Sequence, residues 1–120
     1  MVKGYLIKPL GQPPYPNVRI DFSITAVEMT GDYNQINELI GSQFFDVITF
    51  NQAGDGIFID DEGAVRDDQT HYIKLAGVAE MPFTVYGSGL VLGVDNRGEN
   101  KTPSISIDEL HDKVQVYGLG

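Results

Sequence analysis

From residue 18 to residue 26, apolar and polar side chains alternate without interruption. Successive side chains of a β-strand point to opposite faces of a sheet, so this pattern predicts a half-buried strand. Shorter strand-like runs, each ended by glycine, proline or Asx residues, occur at 4–8, 44–50, 56–60, 83–86 and 89–94. The last two runs form either one long strand or two short ones. Residues 64–82 show no clean period, although Ile73, Leu75, Val78 and Met81 could face a core.

Two short helices are predicted from their capping signals. Asp32 is followed three residues later by Gln35, as in a capping box, and Gly41 can end that helix in the left-handed conformation. Ser106 and Glu109 form a second capping box. Their apolar faces consist of Ile36, Leu39 and Ile40 in the first helix and of Ile107, Leu110 and Val114 in the second.

Length and composition limit the fold to one domain. The chain has 120 residues, 42% of them hydrophobic, which is enough for a single core. Cysteine is absent, which excludes disulfides and cysteine-ligated metals. No apolar run reaches the roughly 20 residues that cross a bilayer, and Lys8 interrupts the short apolar run near the amino terminus, so we expect a cytoplasmic protein. The prediction is an α+β domain over residues 1–120, with a small, mainly antiparallel sheet and two short helices.

The charge of the chain is strongly acidic. There are 17 acidic and 8 basic side chains, a net charge of −9. Nucleic acids bind clusters of lysine and arginine, so direct DNA or RNA binding is not expected. Between Asp46 and Asp68, seven acidic residues face only Arg66. Such a segment would attract a basic protein surface or a cation, although it could also serve only to keep a hairpin soluble.

The motifs that could carry catalysis or bind a cofactor are incomplete. The glycines at 87, 89 and 93 resemble a dinucleotide loop, but they run into a strand instead of opening a helix. The acidic turn around Asp60 lacks the alternating ligand order of a helix–loop–helix calcium site. His71 and His111 stand 40 positions apart, which is not a metal-ligand spacing. We therefore expect no enzyme, no cofactor and no metal site.

From about Asp32 to Glu99 the order of motifs resembles a family of small acidic domains of unknown function, encoded mainly by bacteriophages and mobile elements. The motifs that carry the resemblance are Leu6-Ile7-Lys8-Pro9, Glu38-Leu39-Ile40-Gly41, the strands 44–50 and 56–60, the turn Asp61-Glu62-Gly63, Gly89-Leu90-Val91-Leu92-Gly93 and the turn 95–98. Within the turn Asp61-Glu62-Gly63, we expect the glycine to have a positive φ. These motifs concern fold more than activity, and the resemblance supplies no catalytic residue.

The chain departs from that family in three segments. Where the family has a basic, asparagine-containing stretch, this chain has residues 66–73, with Arg66, Asp67 and Asp68 as its charged residues apart from His71. It also has a proline-rich insertion at 11–17 and a longer tail at 113–120.

The resemblance and the acidic segment together predict a phage or mobile-element accessory protein that binds and inhibits a host protein, for example a component of antiviral defence. The contact would be electrostatic, with a basic surface of the partner. The residues predicted to make it are Asp55, Asp60, Asp61, Glu62, Asp67 and Asp68.

The alternative is a small-molecule binder that forms a homo-oligomer and sequesters a nucleotide-like signal. An anionic ligand would use the few cations, and aromatic rings would stack on a base. The residues predicted for that site are Arg66, His71, Tyr72, Lys74, Tyr86 and Arg97.

Overall fold

The strands divide between two antiparallel sheets. A computed structural model of the chain describes residues 1–11, 16–66, 68–76 and 82–119. Its strands are β1 (Val2–Pro9), β2 (Arg19–Ile20), β3 (Phe22–Met29), β4 (Phe45–Thr49), β5 (Gly56–Asp60), β6 (His71–Ala76), β7 (Pro82–Tyr86), β8 (Gly89–Val94), β9 (Asn100–Lys101) and β10 (Val114–Gly118). The helices are α1 (Tyr33–Ile40) and α2 (Ile107–Lys113), and a 3₁₀ turn spans Gly63–Val65.

The first sheet has the strand order β3-β1-β8-β5-β4, with β9 paired to β8, and the second has the order β2-β10-β6-β7. Every described strand pair is antiparallel. The α+β class with two short helices is therefore confirmed. The expectation of one sheet is wrong, because strands that follow one another in sequence take partners in different sheets.

The alternating segment 18–26 is not one strand. The chain breaks its pairing at Asp21, so β2 pairs with β10 in the second sheet and β3 pairs with β1 in the first. Ile20, Phe22 and Ile24 nevertheless all pack against the core between the sheets. The alternation thus correctly places Ile20, Phe22 and Ile24 on the apolar face, whereas Val18 and Ala26 are exposed. The change of sheet comes from long-range pairing.

Two apolar layers explain why the central strands of the first sheet are buried on both faces. Ile7 and Val91 belong to a core that includes Ile73 and Val116 of the second sheet. Their chain neighbours point the opposite way and pack with α1, in a second cluster formed by Leu6, Met29, Ile36, Ile40, Phe58, Leu90 and Leu92. The order of layers is therefore second sheet, first sheet, α1.

Both predicted helix starts are confirmed. The Asp32 carboxylate accepts a hydrogen bond from the Gln35 N–H at 2.9 Å, and the Ser106 hydroxyl accepts one from the Glu109 N–H at 3.1 Å. Gly41 ends α1 with φ of 71°. The prediction for the end of the second helix is wrong, because Val114 is the first residue of β10 and not a helical residue.

The residues expected to form a tail build part of the core. β10 lies between β2 and β6, and Val114 and Val116 are buried. Strand β6 alternates buried and half-buried residues, which places Ile73 and Leu75 in the core as expected. Val78 and Met81, like most of the proline-rich insertion at 11–17, lie outside the described residues.

Two glycines occupy positions where the backbone turns or packs closely. The run at 83–94 is two strands in different sheets, β7 and β8, joined through Gly87 at φ of 95°. The predicted positive φ at Gly63 is wrong, since the glycines with positive φ in the described segments do not include it. A Cβ at Gly63 would instead stand 2.5 Å from the carbonyl oxygen of Tyr86, so it is close packing that leaves no room for a side chain there.

Candidate interaction surfaces

Asp55, predicted as a surface contact, is fully buried. One carboxylate oxygen accepts from the backbone N–H of Ser104 at 2.8 Å, and the other from Ile105 at 2.9 Å and from the Asn51 amide at 2.8 Å. These bonds fasten the β4–β5 turn to the segment that precedes α2. Asp55 is therefore a structural residue, and we remove it from the predicted binding set.

Asp60 and Asp68 are paired with Arg66. The Arg66 guanidinium lies 2.7 Å from the carboxylate of Asp60, which is buried, and 2.8 Å from the carboxylate of Asp68. It also donates a hydrogen bond to the carbonyl of Gly41 at 2.9 Å. The hydrogen bonds from Arg66 lower the pKa of Asp68, whose side chain remains 70% exposed. Asp60 is thus withdrawn from a surface contact, and Arg66 is engaged by protein carboxylates instead of being available to an anionic ligand.

Within the acidic segment 46–68, the exposed carboxylates that do not pair with Arg66 lie beside β4 in the described residues. Asp61 and Glu62 follow β5 and are exposed, as is Asp46 in β4. The Asp61 N–H donates to the Phe44 carbonyl at 3.1 Å, which fixes these acids next to the start of β4. Asp67 lies outside the described residues.

Three large apolar side chains near β4 and the turn after β5 are also exposed: Phe44 just before β4, Tyr33, which contacts Phe45 of β4, and Val65, three residues after Glu62. Phe44 is 66% exposed, Tyr33 of α1 is 72% exposed, and Val65 in the 3₁₀ turn is 79% exposed. An open groove of about 370 Å³ is lined by Phe44, Glu62 and Arg66 among others, so the apolar and acidic groups are contiguous there. We name the exposed side chains along β4 and the turn after β5, with Tyr33 beside them, the acidic–aromatic surface; its members are Tyr33, Phe44, Asp46, Val47, Asp61, Glu62 and Val65. Tyr33 and Val47 lie on the α1 side of β4 and Asp46 on the other, so this surface extends over both sides of the strand.

The sequence analysis did not identify the apolar members of this surface. A signal was present, because Phe44 and Phe45 are adjacent and a strand cannot turn both toward one face. Phe45 stacks in a tilted geometry on Tyr33 at 5.4 Å and on Phe58 at 5.1 Å, toward α1. Because Phe45 takes the position facing α1, the neighbouring Phe44 side chain stays exposed.

Part of the alternative ligand site does come together, on the outer face of the second sheet. Tyr72 stacks on Tyr117 at 5.3 Å between ring centroids and lies 5.9 Å from Tyr86. The Lys74 ammonium lies 5.5 Å from the Tyr117 ring centroid, and Arg19 is the register partner of Tyr117. We name Tyr72, Tyr86 and Tyr117 the tyrosine row. Tyr117 was missed because it lies in the presumed tail.

Two other residues of the alternative set do not join the tyrosine row. His71 points into the protein and is buried, and its burial lowers the pKa of the imidazole, so the ring is neutral at pH 7. Its Nδ1 lies 3.1 Å from the Thr70 hydroxyl. Arg97 is exposed in the turn after β8, in the first sheet.

Neither a metal centre nor a membrane span is found in the described part of the chain. Within it, no three His, Asp or Glu side chains cluster in a way that could hold a metal ion. The helices described are both too short to cross a bilayer.

Comparison with known proteins leaves the resemblance to the phage-encoded family as a prediction. Neither a family model, nor a curated protein, nor a solved structure matches the chain. The acidic–aromatic surface and the tyrosine row are therefore the features of the protein that bear on its function.

Proposed function

We propose that the protein is a non-enzymatic binding protein, a phage or mobile-element accessory factor that acts in the host cytoplasm. It binds and inhibits a host protein with a basic surface, a component of antiviral defence being one such class. The observation that supports this most is the groove in which the exposed ring of Phe44 lies beside the exposed carboxylate of Glu62, which forms no ion pair within the described residues. Of the six predicted contact residues, the proposal uses Asp61 and Glu62, because Asp55 is buried, Asp60 and Asp68 pair with Arg66, and Asp67 lies outside the described residues; it adds Phe44 as an apolar anchor.

The chemistry of the acidic–aromatic surface suits a protein partner. Aromatic side chains supply most of the binding energy at many interfaces, and clustered exposed apolar groups mark such sites. Carboxylates around them accelerate and orient the approach of a basic partner. Arg66 does not cancel this field, because Asp60 and Asp68 already engage it.

The test compares charge reversals on and away from this surface. The double variant Asp61→Lys/Glu62→Lys should lose a protein that the wild type retains from a bacterial lysate. The control, Glu99→Lys/Asp112→Lys, changes the net charge equally at exposed positions elsewhere and should still retain it. Retention of the same proteins by all three forms would contradict the proposal.

The tyrosine row supports a second candidate function, sequestration of a nucleotide-like molecule. Aromatic rings with a nearby ammonium group suit a base and its phosphate. If this is the function, the matching nucleotide should raise the melting temperature of the wild type by several degrees and leave the variant Tyr117→Leu unchanged. Equal melting temperatures with and without a panel of millimolar nucleotides would reject it.

A further inference from the structure

Strand β4 is an open edge of the first sheet. Among the described strands it pairs only with β5, in a register that matches Ile48 with Ile57. The Phe44 carbonyl accepts from the Asp61 N–H, and the Phe50 N–H donates to the Asp55 carbonyl. Since alternate residues of an antiparallel strand point their backbone groups to the same side, the even-numbered residues face β5. The N–H and C=O groups of Phe45, Val47 and Thr49 therefore point away from the sheet.

The N–H of Val47, one of these three outward groups, already donates a hydrogen bond within the chain. The Asp46 carboxylate accepts a hydrogen bond from the Val47 N–H at 2.8 Å. Asp46 is exposed, so this bond forms at the solvent boundary. A charged side chain at such a position protects a free edge from indiscriminate pairing.

We propose that β4 receives an extended, basic segment of the partner protein as an additional strand, and that Asp46 exchanges its bond with Val47 for a lysine or arginine of that segment. This inference rests on the proposed function, since it specifies how the same surface binds. The free backbone groups supply affinity and the alternating side chains supply specificity, as in other strand-addition complexes.

The side-chain faces of β4 define the pattern of the incoming segment. Phe45 and Val47 lie on the face toward α1, whereas Phe44 and Asp46 lie on the other. A complementary strand therefore alternates apolar residues, opposite Val47, with basic residues, opposite Asp46. The acids Asp61 and Glu62 extend the negative charge beyond the strand.

Charge argues against a second copy of this chain as the occupant. Antiparallel pairing of two β4 strands centred on Asp46 would place the two Asp46 carboxylates directly opposite each other, and pairing centred on Val47 would place them diagonally on one face. Like charges at such cross-strand positions are destabilising. A basic strand converts the same carboxylate into an attractive contact.

The test uses a defined probe, a heptapeptide of alternating lysine and valine with blocked termini. It should bind the wild type, and N-methylation of its backbone along one edge should weaken binding by about tenfold or more, because the ladder bonds are lost. Val47→Pro should weaken binding similarly. The N–H that proline lacks at position 47 does not take part in the β4–β5 pairing, so that pairing is retained. If this variant misfolds, the N-methylated peptide still tests the backbone hydrogen bonds with the wild-type protein.

The remaining outcomes separate this inference from the proposed function. Equal binding of the two peptides, with loss in Asp61→Lys/Glu62→Lys, would overturn strand addition and leave an electrostatic protein contact. Binding that is indifferent to Asp61 and Glu62 would contradict the proposed function itself. A wild-type or Asp46→Ala protein that dimerises through β4 in sedimentation, and then no longer binds the peptide, would identify a second copy as the occupant and overturn the basic partner.

Discussion

Replacing Asp55 by alanine is expected to lower the free energy of unfolding by about 2–4 kcal/mol. The substitution removes the acceptor for two backbone N–H groups and for the Asn51 amide. Ile105 is buried, so water does not readily replace the bond to its N–H. Urea denaturation at pH 7, with the dependence on denaturant concentration checked for constancy, measures the change.

Two further variants make the Asp55 prediction specific. Asp55→Asn turns an amide group toward N–H donors and should therefore be less stable than the wild type. Because it keeps one acceptor oxygen, its free energy of unfolding should fall by less than that of Asp55→Ala. Asp61→Ala removes an exposed carboxylate from the same acidic segment and should change stability by less than about 0.5 kcal/mol. If Asp55→Ala and Asp61→Ala were equally stable, Asp55 would not have the structural role assigned to it.

Ile36→Ala is expected to destabilise the protein by about 2–5 kcal/mol, since it leaves a cavity in a closely packed layer. Ile36 is completely buried and anchors α1 on the first sheet, beside Leu90 and Phe58. The same denaturation experiment measures the loss.

Tyr33→Ala, at the exposed first residue of α1, is the matched control for Ile36→Ala. Its side chain is 72% exposed and contacts Phe45, so its removal should cost less than about 1 kcal/mol. It should instead weaken partner binding. Comparable losses of stability in the two variants would contradict the assignment of Ile36 to the core and Tyr33 to the surface.

Local signals allowed the helices and most strands to be predicted. The capping boxes at Asp32 and Ser106 act within three residues, and their side chains make the bonds that the sequence pattern implies. The division into two sheets depends on partners far apart in sequence, such as Val116 with Ile73. No local period specifies that pairing, which explains why the segment at 113–120 was mistaken for a tail.

The candidate site was predicted less completely, for two physical reasons. Asp55 lies in a segment with the composition of a surface turn, but two of its three hydrogen-bond donors lie 49 and 50 residues away. Arg66 and Asp60 are six positions apart, and their pairing depends on how the 3₁₀ turn returns toward α1. Charge counted along a segment therefore overestimated the acidic surface, and it gave no indication of the apolar groups beside it.

The most direct test of the proposed function is the dissociation constant of the purified partner, measured against salt concentration. We expect Asp61→Lys/Glu62→Lys to bind at least about tenfold more weakly than the wild type, a loss of about 1.4 kcal/mol, with a shallower dependence on salt. The control Glu99→Lys/Asp112→Lys should match the wild type in both respects. Equal affinity and equal salt dependence in all three proteins would show that the acidic–aromatic surface is not where the partner binds.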